Sequence, residues 1–335
     1  MSRALVDPSR YPVIAKIVVL AAIVGGIFGF FLGNADLRSI AQGGVTGALV
    51  SGLIAFAEYA LLRSRAGEQI LRSRFIVHVG AKTVIYLAAV IVGVLTAEVL
   101  FGDVSSGRRL ALFVGISFGI SLVFNFVMTL GALLGPGVLV SFLTGRYHVP
   151  REERRVFLFV DMEGSTAQAE RLGSVKFHKL LRRFIYDVGD AVQVSRGEIH
   201  KYVGDEAIVT WPEAEVADGR AIDCVRLIRD AIARNAERYR REFGVVPGFR
   251  AALHGGTVVA GEIGGWKQEI AYIGDVVNTT ARIAEACRSV GRHVLISRTT
   301  LASMRLPEGW RGQDIGPTAL RGKVEPVDLV ALETA

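Results

Sequence analysis

Three short segments in the second half of this chain carry residues suited to chemistry at phosphorus. The first is FVDMEGST, where Asp161 and Met162 close an apolar run and Gly164, Ser165 and Thr166 open a helix pattern. A carboxylate at a strand end beside free helix N-terminal amides suits a metal-bound polyphosphate: the amides take phosphate oxygens and the carboxylate holds the cation. Taken alone, the same Asp and Ser read equally well as helix caps. The second is KYVGDE, which puts Asp205 at the tip of a tight hairpin, a place where Asp is also an ordinary turn residue. A strand end and a hairpin tip can bring two carboxylates together around two cations, the arrangement that in-line displacement at phosphorus uses. The third is YIGDVVNTTARI, in which Asn278 and Arg282 stand four apart on one helix face. Arg282 suits charge building on a pentavalent phosphorus and Asn278 suits a ribose, although a lone helix-surface Arg is more commonly just solvated.

The elements that must position these residues follow from the pattern. Val156 to Val160 is a continuous apolar run that predicts a buried strand. A helix is expected from Ser165 to Ser195, then a hairpin over Glu198 to Trp211, alternating on both sides of Gly204-Asp205. A long amphipathic helix is expected over Asp218 to Phe243, and strands over Phe249 to Val259 and Glu269 to Gly274. A helix over Asp275 to Ser289, a strand over His293 to Ile296 and two short strands in the tail complete the set. This irregular alternation predicts an α+β domain with a mixed or antiparallel sheet.

The first half is of another kind. The chain is 51% apolar and carries a net charge of +7, but residues 1–150 hold 12 Lys and Arg against 6 Asp and Glu, and the rest hold 27 against 26. Basic residues clustered between apolar stretches favour membrane loops over a nucleic-acid-binding face. Four stretches, 13–33, 40–62, 76–101 and 110–134, are expected to be spanning helices of a transmembrane domain over 1–143. Arg3 and Arg10, then Arg63, Arg65, Arg72 and Arg74, then Arg146, Arg151, Arg154 and Arg155 mark one side as cytoplasmic. The N-terminus and the second half are therefore expected to face the cytoplasm, with the first span retained rather than cleaved. The apolar run through Gly135-Pro136-Gly137 reads as an extension of the fourth helix. Lys16, Glu58, His78, Lys82 and Glu98 lie in or beside the spans, where charge is costly; they pair between helices or serve a sensing role. Gly25, Gly29 and Gly33 form a small-residue row fit for close helix packing, including across a dimer. Residues 144–155 read as a polar linker and 156–335 as the catalytic domain. Cys224 and Cys287 have no metal-site spacing and read as reduced thiols.

Taken together, FVDMEGST, KYVGDE, GDVVNTTAR and LRGKVEPV, in this order across about Val156 to Val330, resemble the class III nucleotidyl cyclase family. The resemblance implies a ferredoxin-like domain that pairs head to tail, so a single-domain chain implies a homodimer with two equivalent sites. It implies two divalent metal ions, Mg²⁺ or Mn²⁺, on Asp161 and Asp205 with help from the Met162 backbone. One ion would acidify the ribose 3′-hydroxyl and the other would neutralise the triphosphate. Asn278 and Arg282 would come from the partner subunit, and Arg321 or Lys323 would grip the terminal phosphates. Lys201, four residues before Asp205, matches the adenine-reading position, where guanylate cyclases tend to have Glu. Ala271, seven before Asn278, departs from the Asp or Thr common there and cannot accept a hydrogen bond from the adenine amino group; Glu269 lies on the same strand face.

The expectation is thus an integral protein of a bacterial inner membrane, in contact with lipid, that converts ATP to cyclic AMP and pyrophosphate. Alternatives are a guanylate or dual-specificity cyclase and a catalytically silent membrane sensor. A transporter is disfavoured by the lack of an internal repeat, and a diguanylate cyclase by the absence of GGDEF.

Overall fold

The computed structural model describes residues 11–33, 35–63, 75–102, 107–134, 141, 144–266 and 268–334. The basic residues Arg3 and Arg10, the loop 64–74 and the stretch through Gly135-Pro136-Gly137 lie outside them, as do the side chains of Glu58 and His78. The chain divides into two compact units, Met1–Leu130 and Gly131–Ala335.

The first unit holds four long helices: α1 (Tyr11–Leu32), α2 (Leu37–Arg63), α3 (Phe75–Phe101) and α4 (Gly107–Leu134). Within them Leu37–Ala57 and Gly80–Phe101 are long and apolar enough to cross a membrane, while Ala15–Phe31 and Ala111–Val127 are shorter apolar helical stretches. Glycine decides how α1 meets α2. A Cβ on Gly25 or Gly29 would collide with the backbone carbonyls of Gly43 and Ser39, and one on Gly47 with that of Ala21. The small-residue row lets two backbones of one chain touch. Val50, Ile54, Tyr86, Ala89, Val90 and Val94 form the apolar contact of α2 with α3, with Phe113, Val114 and Phe118 of α4 packed against them.

The second unit is a mixed sheet with helices on both faces. Its strands are β1 (Arg151–Met162), β2 (Glu198–Val203), β3 (Glu206–Pro212), β4 (Phe249–Ile263), β5 (Glu269–Ile273), β6 (Val294–Ser297), β7 (Trp310–Thr318) and β8 (Val327–Thr334). The order is β2-β3-β1-β4-β6-β8-β7, with β5 paired to the far end of β4. Among the described strands only β4 and β6 pair in parallel. The helices are α5 (Ser165–Leu172), α6 (Ser174–Val194), α7 (Arg220–Arg234), α8 (Ala236–Phe243), α9 (Asp275–Val290) and α10 (Arg298–Ala302). One sheet face buries Val156, Leu158, Val160, Val209 and Trp211 against Leu180, Phe184 and Val188 of α6 and Ile222, Val225 and Ile228 of α7. The other places Phe157, Phe159, Ile208 and Val258 under Val276 of α9. Alternate residues of β1 thus serve opposite cores, as the period of a strand requires.

Three expectations need correction. Residues 151–155 are not linker: β1 begins at Arg151 and pairs with β4 from Ala260 onward. This charged REERR run becomes strand because its side chains find partners, Arg154 with Glu213 and the fully buried Arg155 with Glu153 and Glu198. The helix expected over 165–195 breaks at Gly173, whose φ of 73° and ψ of 156° are not helical. The one expected over 218–243 breaks at Asn235, whose side chain donates to Asp187 at 3.0 Å instead of continuing a helix face. Cys224 and Cys287 are free and buried.

Candidate active site

The β2–β3 hairpin is closed by two residues, and Gly204 takes a left-handed φ of 64° that a side chain would resist. That turn lifts Asp205 out of the pairing and aims it at the end of β1. Asp161 and Asp205 come within hydrogen-bonding reach of each other. Burial first, and the neighbouring Asp205 carboxylate second, push the Asp161 pKa up to about 6. Glu206, the cross-strand partner of Asp161, is raised to about 7 by burial and then by Asp161, Asp205 and Glu285. Three acids thus crowd one corner of the sheet without enough positive charge to balance them.

The loop between β1 and α5 completes the corner. Gly164 caps α5 at a φ of 64° and offers no side-chain cap, so the amides of Ser165 and Thr166 are served by no capping side chain. Met162 is buried and fixes the backbone beside Asp161. Glu163 turns away: its amide donates to Gly248 at 2.9 Å, and its carboxylate meets Arg250 Nε at 3.3 Å and His293 Nδ1 at 2.8 Å. Arg250 stands directly across from Asp161 and its charge opposes the rise in the Asp161 pKa, as does that of Arg288. Arg250 and His293 carry no local signal as site residues, because their place depends on pairing between distant segments; Glu163 and Glu206 lie within the FVDMEGST and KYVGDE segments themselves.

Helix α9 carries Asn278, which is exposed, and Arg282 one turn on, whose guanidinium donates to both Glu285 oxygens at 2.8 and 3.0 Å. Lys323 Nζ meets Asp275 Oδ2 at 2.5 Å and so ties the loop before β8 to the first turn of α9. Arg321 is exposed and has no ion-pair partner among the described residues. Lys201 is exposed on β2, opposite Ile208. Ala271 is 9% exposed on β5, opposite Gly261. Glu269 begins β5 and is exposed. Within one chain the fold therefore joins Asp161 to Asp205 and Lys323 to Asp275, while Lys201, Asn278 and Arg321 point to solvent.

The carboxylate pair fits divalent cations: two acids held together by the backbone against their own repulsion gain most from a bridging positive charge. Among the described residues no cluster of three His, Cys, Asp or Glu donors forms a closed cage, so further ligands must come from backbone, water or a bound phosphate.

A family model described as the adenylate and guanylate cyclase catalytic domain matches residues 148–333. The chain belongs to the class III nucleotidyl cyclase family. The chain is 44% identical over 208 residues to Adenylate cyclase 2 of Rhizobium meliloti, covering 62% of this chain and 57% of that protein. It is 24% identical over 182 residues to Adenylate cyclase of Anabaena cylindrica, covering 52% of this chain and 36% of that one. The chain thus spans little more than half the length of the first of these relatives and about a third of the second. A solved bacterial light-regulated adenylyl cyclase shares the fold, with a TM-score of 0.54, 17% identity, and coverage of 65% of this chain and 64% of that one.

Proposed function

We propose that the protein is a membrane-anchored adenylate cyclase that forms cyclic AMP and pyrophosphate from ATP at a homodimer interface. The meeting of Asp161 and Asp205 on a domain of this family carries the reading. Mg²⁺ or Mn²⁺ bound there would supply positive charge for the triphosphate and a lowered pKa for the attacking hydroxyl.

The chain's own residues have separable tasks in this reading. Asp161, Asp205 and the backbone at Met162 hold the cations. Gly164 and the amides of Ser165 and Thr166 receive phosphate oxygens at the α5 N-terminus. Asn278 and Arg282 project from the partner's α9, Asn278 to orient the ribose and Arg282 to meet charge on the reacting phosphate. The exposure of Asn278 in the single chain supports a role across an interface. Arg321 or Lys323 grips the terminal phosphates. Lys201 reads the adenine ring nitrogen, and Ala271 leaves the amino group without a side-chain acceptor, so ATP is preferred over GTP by a modest margin.

The membrane part of the reading rests on the two long apolar stretches, on the two shorter ones, and on basic residues flanking alternate helices. It places four spans in a bacterial inner membrane, with both the N-terminus and the cyclase domain in the cytoplasm.

Membranes containing the full chain, given Mn²⁺ and either ATP or GTP, test the proposal by direct quantification of both cyclic nucleotides. Cyclic AMP that disappears in an Asp161→Ala variant is expected. Predominant cyclic GMP would overturn the substrate assignment, and no product from a folded dimer would favour a silent sensor.

A further inference from the structure

Arg155 is the largest charge buried in the cyclase domain, with a side chain 1% exposed. It does not lie near Asp161: it sits six residues earlier on β1. Its guanidinium reaches three strands at once. Nε donates to Thr210 Oγ1 of β3 at 3.0 Å, Nη2 to Glu198 Oε2 of β2 at 2.7 Å, and Nη1 to Glu153 of β1 at 3.1 Å. Its flat face stacks on the Tyr272 ring of β5 at 4.7 Å. The Tyr272 ring is met edge-on by Phe157 at 5.7 Å and by His200 of β2 at 5.0 Å.

The sequence positions of these contacts are informative. Tyr272 follows Ala271, and His200 precedes Lys201 at the one irregularity in the β2–β3 pairing. β2 and β5 are not hydrogen-bonded neighbours; β3, β1 and β4 lie between them. What joins them is side chain alone: Glu198 to Arg155 to Tyr272, and His200 to Tyr272. A planar, five-donor cation that also stacks is the one side chain suited to this bridge.

We propose that Arg155, acting through Glu198 and Tyr272, is a positioning centre that fixes β2 against β5 and thereby sets where Lys201 stands for the base. The proposal rests on the assignment of Lys201 as base reader. The centre touches no substrate; it removes the freedom of an irregular edge strand whose exposed lysine must otherwise be ordered by the nucleotide.

Kinetics of the full chain in membranes with Mn²⁺, on ATP and on GTP, test it through Glu198→Gln, which takes the charge out of the tie, leaves at most a neutral hydrogen bond at a half-exposed residue, and spares the core. KM for ATP is expected to rise about five- to tenfold while kcat falls less than twofold, and the preference for ATP over GTP to shrink in step, the signature of lost binding rather than lost chemistry. Tyr272→Leu should do the same, and Tyr272→Phe, which keeps the ring, should recover most of the loss. Combined with Lys201→Met, Glu198→Gln should add nothing, since the two act through one contact. A fall in kcat at unchanged KM, or effects that multiply in the double variant while Lys201→Met is itself damaging, overturns the positioning role alone. A silent Lys201→Met in an active enzyme overturns the base-reader assignment and the positioning role with it.

Discussion

Lys323 and Asp275 form an ion pair at 2.5 Å that fastens the loop before β8 to the start of α9. The pair holds the Asp275 carboxyl below its ordinary range, chiefly through the hydrogen bond from Lys323. Arg321, two residues earlier, is exposed. Of the two basic residues that could grip phosphate, Lys323 is already paired with Asp275 and Arg321 has no ion-pair partner among the described residues.

Arg321→Ala is therefore expected to raise KM for ATP about tenfold, the cost of one charge-assisted phosphate contact. Lys323→Ala should change unfolding free energy by less than about 1 kcal/mol, because Asp275 is largely solvated. Steady-state kinetics beside denaturant melts separate the two. A larger KM effect at Lys323 would reverse the assignment.

Base choice gives a second expectation. Lys201→Glu should move the preference from ATP toward GTP, and Ala271→Thr should sharpen the preference for ATP by about three- to tenfold, the worth of one hydrogen bond to an uncharged group. Competition between the two nucleotides in one reaction measures both. Equal turnover of ATP and GTP by the unaltered protein would sink the assignment of Lys201.

Acid should weaken the cyclase domain through two buried histidines, over a range in which Glu206 and Asp161 also take up protons. Burial, reinforced by Lys201, lowers the His200 pKa to about 4, and burial with Lys323 does the same for His254; Glu269 and Asp275 oppose these shifts. Unfolded imidazoles titrate near ~6.5, so the unfolded chain binds more protons in between. The stability these neutral rings contribute is complete above about pH 6.5 and is lost as pH falls toward 4, on the order of 3 kcal/mol per ring at most. Trp211, Trp266 and Trp310, the three tryptophans of the chain, all lie in the second unit. Intrinsic fluorescence melts from pH 8 to 4 therefore report on it directly, and a His254→Asn variant should flatten the curve.

In the first unit, Gly29→Leu must part α1 from α2, because a Cβ there already strikes the Ser39 carbonyl. A loss of about 1–3 kcal/mol is expected for such overpacking. Gly52→Leu, where a Cβ meets nothing within 4 Å, is the matched control. Proteolysis of detergent-solubilised protein compares them: Gly29→Leu should be cut faster, and equal rates would mean the two helices do not rest on each other there.

Much of this arrangement can be read from the chain. Asp161 and Asp205 announce themselves because a strand end and a Gly-Asp turn are local patterns, and the apolar runs of the first half need only length and composition. What escapes is set by distant partners. REERR looks solvated because nothing within it shows that Glu198, Thr210 and Tyr272 will surround Arg155. Gly173 and Asn235 look like tolerable helix residues, since one such residue costs only about 1 kcal/mol, and only packing decides that the chain turns there. Arg250 reaches Asp161 through antiparallel register between β1 and β4, which no local spacing encodes.

β1 has one further consequence. Its twelve residues are hydrogen-bonded along most of their length to β3 on one side and to β4 on the other, so it is about 40 Å of backbone that cannot stretch. Tyr147, just ahead of it, is clamped by its carbonyl to Glu262 and by its hydroxyl to Glu153, and Asp161 closes the opposite end. A load applied at the first residue of β1 is shared through those bonds with β3 and β4, and so shifts or tilts that part of the sheet instead of lengthening the strand.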